Sequence, residues 1–98
     1  MWTDEAADML EAVLEFGTER FGVRAVRKLM REVKHCVRLL AANPRMGRCL
    51  AISASGQEVR RLLVTSLYAL IYHIDADGIH IVAVQDMRSN PENLHPYL

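Results

Sequence analysis

Cysteine is scarce in this 98-residue chain, which holds 2, Cys36 and Cys49, in no Cys-x-x-Cys or Cys/His ligand spacing. That argues against a disulfide framework or a thiolate metal site, and both thiols are expected to be buried. No apolar run approaches the ~20 residues of a membrane span. The N-terminus reads Met1-Trp2-Thr3-Asp4-Glu5, acidic where an export signal would be basic, so a cytoplasmic protein without membrane attachment is expected. Lysine stops at Lys34, and no repeat or low-complexity segment is present. What remains is 51% hydrophobic and 24% charged, a soluble composition of a length that fits one domain over 1–98 with one modest core.

Net charge is zero, but the signs are segregated. Asp4, Glu5, Asp8, Glu11, Glu15 and Glu19 open the chain with no base among them. Arg20, Arg24, Arg27, Lys28, Arg31, Lys34 and Arg38 follow, against Glu32 alone. An acidic helix lying beside a basic one would relieve this repulsion, and that is the favoured account. The sharper alternative is that the basic helix docks a polyanion.

Periodicity divides the chain in two. Ala6, Leu10, Val13, Leu14 and Gly17 recur at helical spacing, with Thr3 and Asp4 placed to cap. Gly17 and Gly22 bracket an expected break near Thr18–Phe21. A second stripe follows at Val26, Leu29, Met30, Val33, Val37 and Leu40, and Asn43-Pro44 stops it. The helical hairpin therefore spans about 4–42. Beyond Gly47 the period falls to 2, and a sheet is expected over about 48–85, with a tail at 86–98. Its strands are Arg48–Ile52, Gln57–Thr65, Leu67–Asp75 and Ile79–Gln85, the last two joined by an Asp-Gly turn. Connections this short make neighbours antiparallel. The architecture is α+β: a helical hairpin on one face of a three- to four-stranded antiparallel sheet. The other face must be open or covered by a partner. Leu67–Asp75 is apolar on both faces, as a central strand would be. Pattern alone leaves open whether Arg60 or Arg61 faces the helices.

Trp2-Thr3 with Ala6, Pro44 with Gly47-Arg48, Arg60-Arg61, Tyr68 with Tyr72 and Asp75, and Arg88 with Pro91 stand in order over residues 2–91. Each element is short and degenerate, but their order and spacing together resemble the RelE/ParE superfamily of bacterial toxins. The resemblance implies the toxin of a type II toxin–antitoxin, plasmid-stabilisation type system, with a cognate antitoxin as partner and a homodimer or toxin–antitoxin hetero-oligomer as assembly.

The superfamily divides into ParE-like inhibitors of DNA gyrase and RelE-like endonucleases that cut messenger RNA on the ribosome. RNA cleavage needs acids and bases near the 2′-hydroxyl and cations at the developing charge. RelE-like members carry lysines and arginines on the open sheet face and often a late tyrosine. Here no lysine follows Lys34, Leu94 stands where that tyrosine would fall, and Asp86 stands where some nucleases have histidine. The ParE-like reading is therefore favoured, with Arg60, Arg61, Arg88 and Asn90 as target-binding residues and no cofactor or metal. His73, His80, His95 and Tyr97 sustain the nuclease alternative, in which Arg61, His73 and Arg88 would be catalytic. A third alternative is an inactive relative that only binds antitoxin. Superfamily members usually have a β-strand before the Trp, where only Met1 stands here, and losing it would expose a sheet edge.

Overall fold

The computed structural model describes residues 1–88. Two helices, α1 (Asp4–Phe21) and α2 (Val23–Ala42), precede four strands, β1 (Arg48–Ile52), β2 (Glu58–Leu63), β3 (Tyr68–Asp75) and β4 (Gly78–Asp86). The strands pair antiparallel in the order β1-β2-β3-β4, so the expected α+β layering is the observed one.

The first helix begins where Thr3 Oγ1 accepts from the Ala6 amide at 3.1 Å, which satisfies one of the free N–H groups of the first turn. It does not break at Gly17. The helix runs on to Phe21, and the chain turns at Gly22 alone, whose φ of 88° is open to glycine. Gly17 serves packing instead, since a Cβ there would stand 3.2 Å from Val26 Cγ2 on α2. The second helix ends at Ala42 with Asn43 as its cap, one residue before Pro44.

Strand bounds differ from expectation by single residues at the start of β2 and at both ends of β4, and by more at one junction. Val64–Leu67 forms a four-residue connection, where only Ser66 was expected to interrupt. Thr65 Oγ1 accepts from the amides of Leu67 and Tyr68, so its side chain replaces ladder partners and curtails both strands. In the β3–β4 turn only Gly78 takes positive φ (115°), while the Asp75 carboxylate accepts from the Asp77 amide at 2.8 Å.

Ala6, Cys36, Leu40, Leu70, Tyr72 and Ile81 form the core between helices and sheet. Burying each large apolar side chain contributes roughly 1.5–3 kcal/mol. The central strand is apolar on both faces as read: Ala69, Leu70, Ile71 and Tyr72 are all fully buried. Val59, Ile71 and Ala83 form a second buried cluster, with Met9 of α1 and Leu50, Ala51 and Val82 of the sheet partly buried against it. Bulges at Cys49/Ala51 and Ile71/Tyr72 bend the outer strands, a feature that alternation cannot reveal. Cys36 is buried as expected, but Cys49 is exposed, because β1 is the outermost strand.

The edge of β4 is partly covered by the chain start. Met1 donates its ammonium to the Ile79 carbonyl at 2.8 Å and accepts from the Ile81 amide at 2.7 Å. Thr3 donates to the Ile81 carbonyl at 3.0 Å, so Trp2 bridges Ile81 in parallel. Residues 1–3 thus cover part of an edge that was expected to lie exposed.

Candidate functional site

Register decides the fate of the two adjacent arginines. Arg60 lies opposite Tyr72, which lies opposite Ile81, so it shares the helix-facing side of the sheet. There its guanidinium donates to the Gly47 carbonyl at 2.7 Å and to Arg45 O at 3.2 Å, and it pairs with Glu58 at 2.7 Å. Glu58 also receives Arg45 at 2.8 Å, and these two guanidinium groups, Arg45 first, hold its carboxyl below the usual range. The same turn is fastened by Tyr72, whose hydroxyl donates to Pro44 O at 2.7 Å and accepts from the Gly47 amide at 3.0 Å. Glycine is required at position 47, because a Cβ would lie 2.5 Å from that hydroxyl and 2.8 Å from Arg61 O. Arg60, expected as a target-binding residue, thus ties down the crossing from helix to sheet.

Arg61 points the other way. It lies opposite Ile71, which lies opposite Ala83, on the face away from the helices, and Arg48 of β1 is its other cross-strand neighbour. Like charges directly opposite each other destabilise a ladder. Among the described residues, neither Arg48 nor Arg61 has a side-chain hydrogen bond or ion pair. Arg48 was not singled out as a site residue; its pairing with Arg61 depends on a register that only the fold supplies. His73 shares this face, next to His80 across β3–β4, and His80 meets the Asp75 carboxylate at 3.2 Å. That carboxyl is held low by the Asp77 amide first and by His80 after it.

Arg88 stands on the opposite side. Tyr68, which alternates with the helix-facing Leu70 and Tyr72, lies across from Asp86, just before Arg88. The guanidinium makes a two-pronged pair with the Asp86 carboxylate at 3.0 and 2.9 Å, which lowers the Asp86 pKa and raises its own. Both side chains remain about half exposed, at 53% and 40%. Arg88 borders an apolar groove of about 360 Å³ with Phe21, Val26, Leu29, Leu67 and Tyr68. The three residues of the nuclease alternative are therefore not assembled: Arg61 and His73 share the far face, and Arg88 lies on the helix side. Asn90 falls outside the described residues, as do His95 and Tyr97.

The two helices carry their charges outward, and the expected neutralisation between them is not made by direct contact. The acids of α1 and the bases of α2 are exposed, and no ion pair joins the two sets among the described residues. Also among the described residues, no group of His, Cys, Asp and Glu could hold a metal, and no helix is long and apolar enough to cross a membrane.

Residues 1–91 match the family model of the ParE toxin of type II toxin-antitoxin system, parDE. Among solved structures, a chain from the chromosomal ParDE TA system of P. aeruginosa superposes with a TM-score of 0.68 at 22% identity, covering 87% of this chain and 90% of its own. At that identity the likeness speaks for a shared fold. No curated protein matches the sequence.

Proposed function

The chain belongs to the ParE toxin family of type II toxin–antitoxin systems, and from that premise we propose that it arrests growth by inhibiting DNA gyrase and is neutralised by a cognate antitoxin. The match to the ParE family over residues 1–91 carries the reading. The geometry is consistent with a binding toxin rather than an enzyme, since proton transfer and charge stabilisation need groups that converge on one substrate atom. Arg61 and His73 are separated from Arg88 by the sheet. These arginines are suited to contact: exposed Arg88 at the rim of an apolar groove, and half-buried Arg61 beside exposed Arg48 on the far face.

Purified protein is expected to inhibit supercoiling by gyrase and to leave messenger RNA intact on programmed ribosomes. Arg88→Ala is expected to abolish growth inhibition with a nearly unchanged melting temperature, because its pair with Asp86 is solvent-exposed and screened. Arg60→Ala, by contrast, should lower the melting temperature. Codon-linked cleavage lost in Arg61→Ala would move the chain to the endonuclease branch, which the shared face of Arg61 and His73 supports. A protein that binds antitoxin yet harms neither gyrase nor cells would be the inactive relative.

A further inference from the structure

The outer face of α2 carries Arg24, Arg27, Lys28, Arg31, Lys34 and Arg38, all exposed. At 3.6 residues per turn they occupy roughly a third of the helix circumference, opposite Val33, Cys36 and Leu40, which are buried against the sheet. From Arg24 to Arg38 the stripe runs about 21 Å. Within it, Arg24 and Lys28, Arg27 and Arg31, and Lys34 and Arg38 are like charges one turn apart, each pair unfavourable in an isolated helix. Among the described residues none of the six makes a side-chain hydrogen bond or ion pair. Glu32, the one acid of α2, is only half exposed and lies at the margin of the stripe.

We propose that this stripe binds the phosphate backbone of duplex DNA. Along ~21 Å a duplex presents roughly twelve phosphates over its two strands, more than enough for every cation of the stripe. α2 contains no Phe, Tyr or Trp, so it offers no platform for stacking the bases of a single strand. Nor does the stripe hold the buried apolar centre that a protein interface uses for its energy. Contacts of this kind position a protein on DNA without reading its sequence. The acids of α1 confine a duplex to the α2 side and keep affinity modest. The inference goes beyond the gyrase reading and is tested without gyrase, so either can fail alone. Together they would place the toxin on the polymer that its target works on.

The test is fluorescence anisotropy of a labelled duplex of about 20 base pairs with the full-length protein, from about 50 to 200 mM salt. The expected slope of log K against log salt is about −5, close to −0.9 for each of the cations engaged. The variant Arg27→Gln/Arg31→Gln/Lys34→Gln should make that slope shallower by about 2.7 and weaken binding at low salt at least about tenfold. Its melting temperature should not fall, because these side chains have no partners to lose. The charge-conserving Arg27→Lys/Arg31→Lys variant should bind like the parent. Absence of binding, equal binding by the neutralised variant, or loss of binding in the lysine variant would each overturn the proposal. Equal affinity for a poly-glutamate peptide of matched charge would also overturn it, assigning the stripe to an acidic protein partner.

Discussion

The Tyr72 hydroxyl donates to Pro44 and accepts from Gly47, so one side chain from the centre of β3 fixes both ends of the turn that leads from α2 into the sheet. Replacing Tyr72 by Phe leaves the Gly47 amide buried without a partner, at an expected cost of about 1–3 kcal/mol. Gly47→Ala should cost a similar ~1–3 kcal/mol by forcing a methyl against the hydroxyl and the Arg61 carbonyl. Because the hydroxyl is the nearest obstacle, the double variant is expected to lose less than the two single losses together. Urea denaturation of the four proteins measures this cycle; strict additivity would mean that the two residues do not act through their contact. The same neighbourhood shows where reading the chain stops. Pro44, Gly47 and Tyr72 were legible as a recurring set, but not their purpose, because a hydroxyl reaching 25 residues back leaves no local pattern. Likewise Arg60 and Arg61 are neighbours of identical chemistry, and only the face assigned by register separates a partly buried strut from a charge with no protein partner among the described residues.

At the scale of elements, both helices were legible because a wide apolar stripe opposite a charged one admits no other period. The four strands were legible as existing, less so in their ends, since Thr65 shortens two of them with its side chain. The bulges were not, because they change pairing without changing composition. The chain start is the element whose role differs most from expectation. Met1–Thr3 dock beside Ile79–Ile81 while Trp2 packs against the main core. Deleting Met1 and Trp2 removes the bonds that Met1 makes to Ile79 and Ile81 and part of an aromatic contact. The expected loss is roughly 2–4 kcal/mol, below the full cost of an aromatic truncation because Trp2 is only half-buried. The freed edge of β4 should also recruit another chain. Size exclusion of the shortened protein should show dimers or larger species; an unchanged monomer of unchanged stability would mean that this pairing contributes nothing.

Across the whole molecule the charges sum to zero, yet acid should still unfold it, because stability follows the groups whose pKa values change on folding. Glu58, Asp75 and Asp86 are all held below their ordinary values, by Arg45 and Arg60, by the Asp77 amide and His80, and by Arg88. A carboxyl lowered in the folded state contributes stability that is fully present above its unfolded pKa of about 4 and is lost as pH falls through the lowered value. The melting temperature is therefore expected to hold between about pH 5 and 7 and to fall below about pH 4. Glu58→Gln should start lower at neutral pH and fall less steeply; a parallel curve would remove Glu58 from the account. The pairing of the first residues with Ile79 and Ile81 has a further consequence, in time rather than in space. The ammonium of Met1 finds its acceptor 78 residues later in the chain. At a synthesis rate of roughly 5–20 residues per second, about 4–16 s separate the making of one partner from the making of the other. Residues 1–3 are thus among the last to dock, so a growing chain has both helices complete while the strand that receives these residues has yet to be made.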